Sequence, residues 1–203
     1  MTGAPAPIYV GIRIRASLER VWELTQDPGL HPRWDARFTA ITPTGPIAGG
    51  GTRFRYELRV LGRTIVGEGT TIGEVSRPDG SRTSALRFAT AERLSPLGAG
   101  RGYWRYRPDA DGVLFSTGYD YAPGWGRAAD VVVRPLVGWL TAWSFDRLRI
   151  WAEDNVPPER WPVASALMPW RRGRPRASRC VRTAPHGRVM DDAPATLREL
   201  AAP

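Results

Sequence analysis

The side chains best suited to chemistry in this sequence are one carboxylate and two phenols. Glu68 lies in an otherwise apolar, glycine-rich segment. If Glu68 faces inward, the loss of solvation should raise its pKa, and it could act as a general acid or base. If it faces outward, it is a solvated carboxylate paired with a neighbouring arginine. Tyr56 and Tyr106 combine apolar area with a hydroxyl group, which suits the orientation of a mostly apolar ligand.

The histidines and the single cysteine do not form a recognisable metal site, because neither His31 nor His186 has a second ligand at useful spacing. His31 stands in a turn-like stretch and is expected to be exposed. Cys180 lies between Arg179 and Arg182, whose charges should lower its pKa and favour the thiolate. The alternative is an ordinary exposed thiol. The sequence therefore predicts neither a metal nor a cofactor.

The charge of the chain comes entirely from arginine on the basic side. There is no lysine, and 29 arginines against 20 aspartates and glutamates give a net charge of +9. Such a charge suits anionic partners, although coding bias and solubility are the favoured explanation. One cysteine cannot form an intramolecular disulfide, which favours a cytoplasmic location. We expect no signal peptide in residues 1–7, and the most apolar stretch, Val131–Trp143, is shorter than the about 20 residues that span a membrane.

Apolar periodicity indicates one domain between residues 8 and 155, after a flexible segment of residues 1–7. Alternation of apolar and polar residues in Ile8–Arg15 predicts a strand, and Ser17–Thr25 follows with helical spacing and a serine cap. A second short helix can form before the chain returns to strands. Hairpins in series then predict an antiparallel meander, and a long apolar helix over about Ala128–Glu153 closes the domain. Pro135 should kink that helix or delay its start.

Residues 156–203 differ in character from the domain, since they are rich in arginine and proline and lack clear periodicity. We predict a mostly irregular tail. Its arginines could bind anionic lipid headgroups or nucleic acid, the alternative being a solvated tail. The arginines concerned are Arg171, Arg172, Arg174, Arg176, Arg179 and Arg182.

The order of strand, two short helices, strand meander and long helix resembles the START-like superfamily, also called the SRPBCC or helix-grip fold. Polyketide cyclase/dehydrase-like and coenzyme Q-binding proteins belong to it. The resemblance covers roughly residues 8–155. The residues that carry it are Ile12–Ala16, the helix start Ser17-x-x-x-Val21-Trp22, Asp27-Pro28, Pro32-x-Trp34, Gly51-Thr52 and the helix through Trp139–Trp151.

This resemblance implies an α+β fold in which a curved antiparallel sheet of six to seven strands surrounds the long helix. It also implies an elongated apolar cavity between the sheet and that helix. We expect the ligand-binding residues to be inward-facing and mostly aromatic, with plain core packing as the alternative for each. They are Trp34, Phe54, Tyr56, Leu58, Trp104, Tyr106, Leu136, Trp139, Leu140 and Trp143.

Three functions remain open at this point. The first is the binding of a small hydrophobic molecule that is lipid-, isoprenoid- or polyketide-like. The second is a cyclase or aromatase that promotes aldol ring closure, which requires an acid or base inside the cavity, with Glu68, Tyr56 and Tyr106 as candidates. The third is an interaction protein whose arginine-rich tail contacts a membrane or RNA. The mostly apolar inward face favours the first.

Overall fold

The computed structural model describes residues 6–48, 51–168, 170–185 and 189–192. Its elements are β1 (Ile8–Ile14), α1 (Leu18–Gln26), α2 (His31–Trp34), β2 (Ala40–Pro46), β3 (Thr52–Val60), β4 (Arg63–Ser76), β5 (Arg82–Ala89), β6 (Leu97–Asp109), β7 (Gly112–Pro123) and α3 (Gly126–Asp154). The described strands form one antiparallel sheet in the order β1-β7-β6-β5-β4-β3-β2. The predicted α+β helix-grip fold is confirmed.

The core lies between the sheet and α3. Strand β1 forms as predicted, and its isoleucines and valine are at most 8% exposed on the face that joins the main core cluster. Tyr9 and Gly11 on the other face are buried as well, so the expected half-buried pattern is wrong. Helix α3 makes its close contacts with the sheet along β1 and β7. Strands β3, β4 and β5 lie farther from the helix, and this offset positions the candidate site.

Helix α3 starts at Gly126, well before Pro135, so the predicted delay of its start is wrong. A proline inside a helix removes one backbone hydrogen bond, and a helix of 29 residues retains most of the others. Asn155 ends the helix in the left-handed conformation, with φ at 55°, and its N–H donates to the carbonyl of Trp151. The helix thus ends where the sequence predicted.

The described part of the tail packs on the domain in short 3-10 turns, at Pro158–Arg160, Val163–Leu167 and Ala177–Arg179. Trp161 is only 6% exposed and joins the main core. Gly11 and Val181 exchange two backbone hydrogen bonds of 2.9 Å, which cover the free edge of β1 at that point. Another 3-10 turn lies at Val189–Asp192. His186 and residues 193–203 lie outside the described part.

The buried carboxylate of Asp146 joins this tail to α3. Asp146 accepts hydrogen bonds from Arg149 Nε at 2.6 Å, from the Arg176 backbone N–H at 2.7 Å and from Arg179 Nη1 at 2.8 Å. The side chain of Asp146 is completely buried. A buried carboxylate needs hydrogen-bond partners. The tail therefore provides hydrogen bonds that replace some of those that Asp146 makes with water in the unfolded chain.

Candidate ligand-binding site

Three half-buried aromatic side chains lie on the concave face of the outer strands. Phe54 and Tyr56 come from β3, and Phe88 comes from β5. Their register places them on the face that carries the core residues of the inner strands. We call these three residues the aromatic floor. Helix α3 packs mainly along β1 and β7, and we take the space between this floor and the helix as the candidate cleft.

Glycines of β4 allow the floor rings to lie close to the sheet. Gly67 pairs with Tyr56, and Gly69 pairs with both Phe54 and Phe88. A Cβ atom at Gly67 would overlap the Tyr56 ring, and one at Gly69 would overlap the Phe54 ring. The glycine-rich sequence of β4 therefore seats the floor, since any larger residue would push the rings away from the sheet.

Helix α3 supplies the facing wall of the cleft. Val133 and Leu140 are half-buried and pack against the core. They lie on the same side of the helix as Ser144, whose hydroxyl accepts from the backbone N–H of Ala36 at 3.1 Å. This side faces the segment that follows α2, and the contribution of Leu140 to ligand binding stays a prediction.

The inner part of the space between sheet and helix is filled with aromatic rings. Trp34, Trp104, Phe115 and Phe145 have ring centroids between 4.6 and 6.3 Å apart, and each side chain is at most 6% exposed. Trp34 also donates its indole N–H to the carbonyl of Leu24 at 2.8 Å. Trp34 and Trp104, two of the four tryptophans predicted as ligand-binding residues, thus lie in the packed interior at the closed end of the candidate cleft.

A buried ion pair lies where the floor meets this closed end. Arg37 Nε and Nη2 donate to the two carboxylate oxygens of Asp35, at 2.9 and 2.7 Å. The guanidinium carbon lies 5.4–5.7 Å from the ring centroids of Phe38, Trp104 and Tyr119. Asp35 is completely buried, whereas 17% of the Arg37 side chain remains exposed. The arginine is therefore the member of the pair that solvent or a ligand can reach.

The charges of this pair hold both groups ionised. Burial alone would raise the pKa of Asp35, but Arg37 and a hydrogen bond from His31 lower it well below the usual range. Burial alone would likewise lower the pKa of Arg37, but the charge and hydrogen bonds of Asp35 raise this pKa above its usual value. His31 lies between the Thr25 carbonyl, at 2.6 Å from Nδ1, and Asp35 Oδ2, at 3.2 Å from Nε2. His31 is therefore a positioning group for Asp35.

Tyr119 lies between the Asp35–Arg37 pair and helix α3. Thr141 donates its only hydroxyl proton to the Val137 carbonyl at 2.9 Å. The 2.8 Å hydrogen bond between Tyr119 and Thr141 must then use the proton of Tyr119. The oxygen of Tyr119 is left as an acceptor beside Arg37, with which it interacts. Burial raises the pKa of Tyr119, so it stays protonated.

The other predicted phenols occupy different positions. Tyr106 is completely buried under α1, where its hydroxyl bonds both Thr25 Oγ1 and Gln26 Nε2 at 2.6 Å. Tyr56 lies in the floor 5.6 Å from the ring of Phe38, and burial raises its pKa to about 12. Tyr56 donates its hydroxyl proton to the Ala89 carbonyl at 3.4 Å, and Tyr106 uses its hydroxyl within the core.

The structure corrects the predicted helix face. Leu136 is 58% exposed, so the prediction that it lines a cavity is wrong. Trp143 is buried beside Arg147, whose guanidinium bonds the Arg33 and Pro158 carbonyls. Trp143 thus belongs to the packing between α3, α2 and the tail. Trp139 is half-buried against the core, while Leu58 continues the floor side of β3.

Three further expectations fail for reasons of burial. Glu68 is exposed, so the inward orientation that its catalytic role requires is absent. His31 is 7% exposed rather than a surface residue, because Thr25 and Asp35 supply partners for both ring nitrogens. Cys180 is half-buried, and burial raises its pKa to about 12 despite the neighbouring arginines. It is a thiol that donates to the Ala142 carbonyl at 3.2 Å.

Sequence reasoning missed Asp35, Arg37, Phe38 and Tyr119. The sequence does contain a signal for the ion pair. In the Trp-Asp-Ala-Arg segment, Asp35 and Arg37 have opposite charges, stand two positions apart and directly follow a tryptophan. Surface pockets formed by described residues also lie elsewhere on the molecule. One is a groove of about 610 Å³ beside β1 and the start of α3, and another, about 320 Å³, lies between Pro28 and Ile41. Among the described residues, no acid, histidine or cysteine cluster is placed to bind a metal ion.

The fold and the cleft define a START-like protein of the helix-grip class. Solved structures agree with this class. A STAR-related lipid transfer protein from Xanthomonas axonopodis matches with a TM-score of 0.53 at 17% identity, over 73% of this chain and 87% of that chain. The Zhui aromatase/cyclase from Streptomyces sp. R1128 matches with a TM-score of 0.50 at 15% identity, over 74% and 98%.

At the level of sequence, residues 6–150 match the family model described as polyketide cyclase / dehydrase and lipid transport. The chain belongs to this family. It is also 40% identical over 168 residues to the uncharacterized membrane protein YndG of Bacillus subtilis (strain 168), covering 80% of this chain and 62% of that protein. The chain thus spans about three fifths of that relative. In the described part of this chain, no helix has the length and apolarity to cross a membrane.

Proposed function

We propose that the protein binds a small, mostly apolar molecule of the lipid, isoprenoid or polyketide type in the cleft between the aromatic floor and α3. The observation that carries this proposal is the half-buried floor itself. Phe54 lies against Gly69, Tyr56 against Gly67 and Phe88 against Gly100, and all three rings stay half-buried. A concave apolar surface beside a few fixed polar groups is the usual composition of a ligand site.

A fluorescent apolar probe tests this proposal. We expect 1-anilinonaphthalene-8-sulfonate or a pyrene-labelled chain to bind saturably, and Phe88→Ala to weaken binding about tenfold through lost apolar contact. Arg87→Ala is the matched control, because Arg87 is exposed and lies on the opposite face of the same strand. Equal weakening by both variants, or binding unaffected by Phe88→Ala, would refute the assignment of the site.

The cyclase alternative has weaker support. Glu68 is exposed, and the raised pKa of Tyr56 makes that phenol a hydrogen-bond donor rather than a base at neutral pH. The charged groups at the cleft are the paired Asp35 and Arg37, and Asp35 is completely buried. This arrangement favours holding a ligand over removing a proton from it.

A second candidate function is contact with an anionic membrane through one exposed surface of the tail. Leu167 is 81% exposed and Trp170 is 74% exposed, beside the exposed Arg171 and Arg172. Tryptophan and arginine next to exposed aliphatic residues suit a bilayer interface better than a nucleic acid. Arg179 is held by Asp146 and takes no part. The cytoplasmic location expected from the sequence remains a prediction.

Vesicle sedimentation tests the membrane candidate. We expect vesicles containing phosphatidylglycerol to retain the full chain more strongly than phosphatidylcholine vesicles do. Trp170→Ala should reduce that retention severalfold. Leu61→Ala is the control, since Leu61 is 97% exposed in the β3–β4 turn, away from the tail in sequence. Retention that does not depend on anionic lipid, or on Trp170, would rule this surface out.

A further inference from the structure

The Arg37 guanidinium has more donors than its protein partners use. A guanidinium has five N–H bonds. Asp35 accepts two of them, from Nε and Nη2, and the Tyr119 ring lies beside the group, with its centroid 5.4 Å from the guanidinium carbon. Within the part of the chain that the structure describes, no further acceptor for the remaining N–H bonds is present. These bonds lie on a side chain that is 17% exposed while its partner Asp35 is completely buried.

The surroundings of Arg37 fix its position before any ligand arrives. Asp35 binds the Nε/Nη2 edge of the guanidinium, and the segment is tied to α3 where Ala36 N–H donates to Ser144. The rings of Phe38, Trp104 and Tyr119 surround the group. A hydrogen bond made in such an apolar site is stronger than the same bond in water, and a fixed arginine loses little entropy on forming it.

From this geometry we propose that Arg37 anchors the polar end of the ligand, and that this end carries an acceptor oxygen, as a carboxylate or a ketone does. The inference rests on the proposed function, since it concerns the same cleft. Arginine has only hydrogen-bond donors, and the hydroxyl of Tyr119 already donates its proton to Thr141. The positive charge of Arg37 also disfavours an ammonium or other cationic head at this point. The apolar body of the ligand then lies along the aromatic floor.

A matched pair of probes tests the anchor. The two probes are 10-(1-pyrenyl)decanoic acid and 1-decylpyrene, which differ only in the carboxylate, used below the concentration at which they aggregate. We expect the full chain to bind the acid at least about tenfold more tightly, as a charged hydrogen bond predicts. The methyl ester of the acid separates the two sources of oxygen. Ester affinity near that of the acid indicates a carbonyl, and ester affinity near that of the hydrocarbon indicates a carboxylate.

Two variants assign the preference to Arg37. Arg37→Lys keeps the positive charge beside Asp35 but loses the planar fork of donors, and we expect the preference to fall to about threefold or less. The double variant Asp35→Asn with Arg37→Gln removes both charges together and serves if the lysine variant does not fold, as judged by circular dichroism.

The outcomes are distinct. Loss of the acid preference in a folded variant, with hydrocarbon binding retained, supports the anchor. Equal affinity of the wild-type chain for acid and hydrocarbon overturns the anchor and leaves the proposed function intact. A preference that persists in the folded variants also overturns it. If neither probe binds the wild-type chain, the proposed function fails and the anchor fails with it.

Discussion

Asp35 shows how strongly a single residue can constrain this fold. It is completely buried, and it is held ionised by Arg37 and His31. A carboxyl whose pKa is lowered on folding contributes stability at pH values above its unfolded pKa of about 3.9. That contribution is lost as the pH falls below this value toward the folded pKa. The buried pair is therefore a source of acid sensitivity.

We expect Asp35→Asn to lower the free energy of unfolding at pH 7 by about 3 kcal/mol, because it leaves the Arg37 charge without its partner. The variant should also lose stability less steeply than wild type below about pH 4. Urea denaturation at several pH values measures both effects. Asp154→Asn, at an exposed carboxyl near the end of α3, is the control. An Asp35→Asn variant as stable as wild type at pH 7 would contradict the role given to the pair.

Gly67 provides a second prediction at the residue scale. A methyl group in Gly67→Ala would overlap the Tyr56 ring and displace it from the sheet. We expect weaker probe binding and a loss of about 1 kcal/mol in stability. Glu68→Gln changes the next residue, which is exposed, and should leave both quantities unchanged. Unaltered probe binding by Gly67→Ala would show that the floor does not form the site.

At this scale the sequence predicted residue types better than residue surroundings. The alternation of Phe54 and Tyr56 with Arg53 and Arg55 predicts directly that the two aromatic residues share one face of a strand. The burial of His31 depends on the Thr25 carbonyl and on Asp35, partners that only the folded chain brings together. Such tertiary partners also explain why Arg37 was missed.

The elements themselves followed from the sequence because their periods are local properties. Strand alternation and the long helix were predicted within a few residues of the observed bounds. The orientation of α3 was not, since the helix packs along β1 and β7 and leaves Leu136 in solvent. No local pattern states where an amphipathic helix crosses a sheet, because several positions on the same stripe can be buried.

The tail acts as a structural brace for α3, and this yields an element-scale prediction. Arg179→Ala removes one partner of the buried Asp146, so we expect a loss of about 1–3 kcal/mol in the free energy of unfolding. Arg172→Ala, at an exposed arginine of the same tail, should change it by less than about 0.5 kcal/mol. Thermal or urea unfolding of the two variants measures the difference. Equal stability of both variants would show that the tail does not brace the helix.

For the whole molecule, the fold separates a filled half from an open half. Rings of Trp34, Trp104, Phe115 and Phe145 close one end of the space that the helix-grip fold creates. The outer strands and their glycines keep the other end open. A single offset of α3 relative to the sheet therefore gives both the stable core and the candidate cleft.

The central claim is that the apolar ligand lies on the aromatic floor, and nuclear Overhauser effects between protein and probe test it most directly. With 10-(1-pyrenyl)decanoic acid bound to isotope-labelled protein, we expect contacts to the rings of Phe54, Tyr56 and Phe88 and to the methyl groups of Leu140. Contacts confined to Ile8, Val131 and Pro135 would instead place the ligand in the surface groove beside β1. That result, or the absence of saturable binding, would contradict the claim.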